Sequence, residues 1–213
     1  MQQPGSWADP AERANLGFAD PLNLIQVMLA KGRNVIKTKN GPETKVLAEA
    51  IVFVALANAL YIISKFYFPF LRLPQGGRVT LASMVPLLWF SLRRGLRWGV
   101  ETGVVYGMVH MVVSGDVYYP AQILLDYPLA FGALGLAGAF RNRPVVGVGV
   151  GILGRFIFHF ISGVVFFGQY AWKGWNVLAY SLAYNATYLV PEFAVSAIVI
   201  FILLKRNLLY IYA

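Results

Sequence analysis

From Val46 to Leu204 the chain is a succession of apolar runs separated by short polar breaks. Each run is about as long as the roughly 20 helical residues that cross a bilayer. Backbone polar groups in lipid must be satisfied within the segment, so runs of this kind fold as helices. Of the 213 residues, 58% are hydrophobic and 13% are charged, against about 25% charged in a soluble domain. The expected fold is an all-α membrane protein with spans at 46–66, 80–92, 96–113, 121–140, 145–167 and 177–204. The second is short, and is expected to be tilted or partly buried. Pro86, Pro128 and Pro191 fall inside spans, where neighbouring helices can satisfy the freed backbone groups.

Around this core the expected organisation is an N-terminal extension (1–45), a six-helix domain (46–206) and a short tail (207–213). The opening "MQQPGSWADP" has no basic start followed by an apolar core, so no signal peptide is expected. The piece "LNLIQVMLAKGRNVIKTKN" fits either a surface-lying amphipathic helix or a plain juxtamembrane tail.

Basic residues set the orientation. Lys31, Arg33, Lys37, Lys39 and Lys45 precede the first span. Arg93, Arg94 and Arg97 follow the second, Arg141 and Arg143 the fourth, and Lys205 and Arg206 the sixth. The opposite loops "SGDVYYP" and "GQYAWKGWN" hold only Lys173. Both termini are therefore expected in the cytoplasm. The loop carrying Lys65, Arg72 and Arg78 breaks the pattern, which points to a loop folded into the protein. The net charge of +9 follows from these segment ends. It forms no single basic patch, so nucleic acid is not an expected partner.

Several chemistries are excluded. There is no cysteine, hence no disulfide or thiolate metal site. His110 and His159 have no metal-ligand spacing, and no cofactor is expected. The phosphate-cradling G-x-x-x-x-G-K-[ST] loop is missing, so ATP hydrolysis would have to come from partners.

Polar side chains inside spans are costly and are functional candidates by default. Arg155, His159, Gly163 and Phe167 recur every four residues and share one helical ridge. Gln122 and Asp126 do the same on the fourth span, followed by Tyr127. Tyr180, Tyr184 and Tyr188 form a ridge on the sixth span with Asn185 beside it. At 1.5 Å per residue, Asp126 lies about 9 Å, His159 about 12 Å and Asn185 about 12 Å from the outer ends of their spans. A carboxylate, an imidazole, an amide and aromatic faces at one depth suit a flat, cationic, hydrogen-bonding ligand. Arg155 also fits a helix-gluing ion pair, and His110 a structural or interfacial role. Glu101 reads as a local partner of Arg97, while Glu192 is open between a functional carboxylate and a helix-to-helix bond. Among the outer-loop aromatics, Trp172 and Trp175 read as interfacial belt residues.

The segments "ILLDYPLAFGALGLAG", "FIFHFISGVVFFGQYAWKG" and "VLAYSLAYNATYLVPE", with the loop "LPQGGRVTLASMVPLLWFSLRRG", resemble the thiamine-binding S-components of energy-coupling factor (ECF) transporters. The resemblance covers about residues 46–204. It implies the six-helix S-component fold, with thiamine held near the extracellular side. It also implies ligand contacts at Asp126, Tyr127, His159, Gly163, Phe167, Tyr180 and Asn185, and at Tyr118 or Tyr119. Small residues on the first span, Ala55 and Ala59, would dock on the transmembrane coupling subunit, which works with two ATP-binding cassette ATPases. Ordinary internal packing is the alternative for that pair. Two departures stand out: aspartate sits where some members have glutamate, and "PQGG" (74–77) replaces an aromatic of the first outer loop.

Four functions are consistent with these residues: a thiamine S-component, an S-component for another small molecule such as a pyrimidine precursor, an intramembrane acid–base enzyme, and a stand-alone carrier. The enzyme lacks a nucleophile motif, and the carrier lacks the internal repeat that such folds carry.

Overall fold

The computed structural model describes Gln26 and residues 41–208. The amphipathic piece expected over residues 22–40 therefore lies outside the described residues, apart from Gln26. The chain divides after Leu47 into two units, and every contact below lies within the second, Ala48–Ala213.

Among the described residues, and apart from short 3₁₀ turns, six helical segments follow in order. They are α1 (Pro42–Tyr67), α2 (Val85–Arg94), α3 (Leu96–Ser114), a composite α4 (Pro120–Phe140), α5 (Pro144–Phe166) and α6 (Val177–Lys205). α1, α4, α5 and α6 are long and apolar enough to cross a membrane. With 10 residues, α2 reaches only about 15 Å, half the hydrocarbon thickness. Its residues Val85, Pro86, Leu87, Leu88, Phe90, Ser91 and Leu92 are buried, so it packs as a core helix. The expected start at residue 80 is corrected to Val85, because Leu81 (φ 43°) and Ala82 (φ 80°) hold the chain out of helical geometry.

The fourth span, expected over 121–140, is present as Pro120–Phe140 but is not a regular α-helix throughout. Pro120–Leu124 is α-helical, Leu125–Leu129 widens into a π-turn, Ala130–Ala133 returns to α, and Leu134–Phe140 tightens to 3₁₀. Pro128 lies in the π-turn, where its missing N–H and bulky ring are accommodated. The wide turn carries Asp126 and Tyr127.

α4 is pressed against α3 by glycines at four-residue spacing. A methyl group on Gly103 would sit 2.3 Å from the Phe131 carbonyl oxygen, and one on Gly107 would sit 2.4 Å from that of Tyr127. Small residues on one helix face let two backbones approach in this way, and the approach fixes Tyr127 and Phe131 in space. α4 also touches α2 and α5, and α5 packs along α6. The core between them is filled by side chains such as Leu88, Leu92, Leu134, Val148, Leu189 and Ile200.

Charged groups tie the end of α2. Glu49 of α1 pairs with Arg93 at 3.1 Å and with Arg94 Nε at 2.7 Å. Arg141 donates to the Leu92 and Arg93 carbonyls at 3.1 and 2.7 Å, satisfying the exposed end of the helix. The expected Arg97–Glu101 pair is present at 3.0 Å. On α1, Ala57 is fully buried while Ala55 and Ala59 are exposed beside Ile51, Val52 and Leu56. Internal packing therefore does not account for the A-x-x-x-A pair.

Candidate functional site

One cavity gathers most of the polar residues singled out above. Its walls come from α4 (Gln122, Asp126, Tyr127, Phe131), α5 with the residue that caps it (Arg155, His159, Ser162, Gly163, and Phe167 at the cap) and α6 (Tyr180, Ser181, Tyr184, Asn185, Tyr188). Tyr61, His110, Ser114 and Asp116 close another side, and the first loop covers it with Gln75 to Arg78 and Thr80. The four-residue ridges 155/159/163/167 and 180/184/188 both face this space in full.

The centre of the polar wall is His159. Arg155 donates from Nε to His159 Nε2 at 3.1 Å. A guanidinium has only donors, so Nε2 accepts and Nδ1 carries the proton. Nδ1 lies 2.9 Å from Asp126 Oδ1 and donates to it. The histidine is thus a neutral bridge between Arg155 and Asp126. The expected ion-pair alternative for Arg155 is not what forms. No carboxylate lies within 4.0 Å of its guanidinium among the described residues; it stacks 4.1 Å over the Phe131 ring instead.

Asn185 braces the two outer helices. Its Nδ2 donates to the Ser181 carbonyl at 2.8 Å and to the His159 carbonyl at 3.3 Å, while its Oδ1 accepts from Tyr188 at 2.6 Å. Gly163 makes the close crossing possible, since a methyl there would sit 2.2 Å from Ser181 Oγ. Ser162 Oγ is buried in the same wall without a hydrogen-bond partner among the described residues.

The first loop is fastened over the space. The Tyr184 hydroxyl accepts from Gly77 N at 2.9 Å and donates to the Pro74 carbonyl. Tyr180 donates to Gln75 Oε1 at 3.4 Å, and Arg72 pairs with Asp116 at 2.6 Å. Lys65 donates to the Val113 and Ser114 carbonyls at 3.4 and 3.3 Å, and Arg78 is buried. These contacts explain the break in the charge pattern: all three basic residues of this loop are used internally.

Asp126, Tyr127, His159, Gly163, Phe167, Tyr180 and Asn185 all line the cavity. Tyr118 and Tyr119 do not. They stand behind it, Tyr118 edge-on to Phe167 at 5.7 Å and Tyr119 stacked on Phe166 at 5.6 Å. Trp172 meets Tyr180 edge-on at 5.3 Å, and Trp172 and Trp175 are both exposed. Sequence reasoning missed Gln75, Asp116 and Ser162, which sit in loops or between ridges. It also set His110 aside, because ring partners of that residue come from two other segments, α1 and α4.

The family described as Thiamine transporter protein (Thia_YuaJ) matches residues 47–211. The chain is 39% identical over 175 residues to "Thiamine transporter ThiT" of Bacillus subtilis (strain 168), covering 74% of this chain and 88% of the relative. It is 35% identical over 122 residues to the protein of the same name from Lacticaseibacillus paracasei, covering 48% of this chain and 61% of that one. The solved structure of ThiT from Listeria monocytogenes is similar with a TM-score of 0.68 and 26% identity, over 80% of this chain and all of that one.

Proposed function

The chain belongs to the thiamine transporter protein family, a family of transporters and not of enzymes, and on that premise we propose that it is an ECF-type S-component that captures thiamine. The observation that carries the reading is the neutral His159 bridge between Arg155 and Asp126. Thiamine joins a neutral aminopyrimidine to a cationic thiazolium. Asp126 balances the thiazolium charge, and Tyr127, Phe131 and the Tyr180–Tyr184–Tyr188 ridge offer ring faces to it. His159 and Asn185 meet the pyrimidine edge, with Phe167 and Gly163 shaping the space beside it.

Thiamine enters from the extracellular side, with both termini in the cytoplasm. The distribution of basic residues supports this orientation. The first loop acts as the cover of the site. Uptake is driven by a transmembrane coupling subunit and two ATP-binding cassette ATPases. The exposed Ala55 and Ala59 provide the docking face for the coupling subunit.

Co-expression with a coupling subunit and its ATPases tests this reading. The chain co-purifies with them and supports ATP-dependent accumulation of labelled thiamine in vesicles. Accumulation driven by the chain alone would contradict it.

A further inference from the structure

Gln122 sits in the first turn of α4, is only 4% exposed and lines the cavity. Its Oε1 accepts from two backbone donors, Tyr118 N at 3.0 Å and Tyr119 N at 3.2 Å. The oxygen and nitrogen of an amide are told apart by their partners. Two N–H groups converge here on one atom, and only the oxygen can accept. A flipped amide would set its NH2 group against both donors. The donors are themselves held in place. Tyr118 stands edge-on to Phe167 at 5.7 Å, and Tyr119 stacks on Phe166 at 5.6 Å. The Tyr119 hydroxyl also accepts from Gln169 Nε2 at 2.8 Å.

With the oxygen committed, the two N–H groups on Nε2 are left over. Nε2 has no hydrogen-bond partner among the described residues. Nor is it sealed inside the protein, as Ser162 Oγ is. Gln122 borders the cavity and shows almost no other surface, so the cavity is what this NH2 group faces. The result is an uncharged donor with a fixed direction in the wall of the site.

We propose that Gln122 is a specificity-determining residue whose Nε2 donates a hydrogen bond to the side-chain hydroxyl oxygen of thiamine. The inference rests on the thiamine-site reading above. There Asp126 meets the thiazolium, while His159 and Asn185 meet the pyrimidine. Gln122 lies four residues before Asp126, about 6 Å along the helix toward the loop. The pyrimidine is already committed to His159 and Asn185. The group of thiamine left to reach a donor at that place is the hydroxyethyl arm of the thiazolium, whose oxygen accepts. A ligand without an oxygen there leaves the donor unpaired in a desolvated site. Tyr118 and Tyr119 thus aim the amide through their backbone N–H groups, not through their rings.

The test uses the purified full chain and calorimetry with two probes: thiamine, and its analogue with hydrogen in place of the hydroxyl. Wild-type chain binds the analogue about three- to tenfold more weakly than thiamine. Gln122→Met, close to glutamine in length but without a donor, binds the two probes within about twofold of each other. A role for Gln122 in capping the helix alone would weaken both probes alike and leave their ratio as in wild type. Nitrogen NMR of wild-type chain, independent of any variant's folding, shows the Gln122 side-chain amide shifted further downfield by thiamine than by the analogue. Equal binding of both probes by wild-type chain, an unchanged ratio in Gln122→Met, or the same amide shift with both probes overturns the inference while leaving the thiamine site standing. Failure of wild-type chain to bind thiamine at all removes the reading beneath it and the inference together.

Discussion

Nδ1 of His159 and Oδ1 of Asp126 meet at 2.9 Å across the contact between α5 and α4. The histidine arrives there on a regular helix and the aspartate on a π-turn, so the pair depends on both a periodic and an irregular element. Removing the negative charge while keeping the shape separates charge from geometry. Asp126→Asn weakens thiamine binding by roughly ten- to a hundredfold, the worth of a charge-assisted hydrogen bond of about 1.5–3 kcal/mol. The neutral pyrimidine half of thiamine loses less. Equilibrium dialysis with both probes checks it; equal losses would mean that Asp126 does not face the cation.

Gly163 is a packing requirement as well as a cavity residue. A methyl group 2.2 Å from Ser181 Oγ forces α5 and α6 apart. Gly163→Ala lowers stability by about 1–3 kcal/mol, the usual cost of overpacking. Ser181→Ala in the same chain removes the closest clash and recovers a large part of it. Thermal unfolding of the two variants and the double variant measures the coupling.

The loop fastened by Tyr184 controls escape of the ligand. Tyr184→Phe removes both the acceptor for Gly77 N–H and the donor to the Pro74 carbonyl. Dissociation of thiamine, followed by chase with unlabelled ligand, quickens by about three- to tenfold per lost bond. Arg72→Ala has a smaller effect that disappears at high salt, because the Arg72 side chain is 47% exposed and exposed ion pairs contribute little.

Ala55→Trp and Ala59→Trp separate capture from transport. Both positions are exposed, so a large ring there leaves the fold and thiamine binding intact. It holds a partner helix away from α1. Uptake in cells carrying the complete transporter is lost, while binding by the purified chain is kept.

Hydropathy was enough to read the helices, because length and apolarity are local properties of a segment. Positions 155, 159, 163 and 167, and 180, 184 and 188, were readable for a similar reason: a fixed period puts a ridge on one face. The break in α4 was hidden, since Pro128 alone does not tell a kink from a π-turn. The stripe Gly99, Gly103 and Gly107 was a legible signal that went unread, and it sets the close approach of α3 to α4. His110, expected as structural or interfacial, is buried among rings and also lines the cavity. Its neighbours Tyr61, Tyr127 and Phe131 come from segments far away in sequence, so no spacing announces them. Tyr118 or Tyr119 was expected at the ligand; neither lines the cavity, and their rings pack against Phe167 and Phe166. A loop has no period from which to judge its direction.

The account turns on one measurement: calorimetry of the purified chain against thiamine, its phosphates, and its separate pyrimidine and thiazole halves. The prediction is micromolar or tighter binding of thiamine, lost in His159→Ala and in Asn185→Ala. Binding of none of these compounds by the wild-type chain would contradict it.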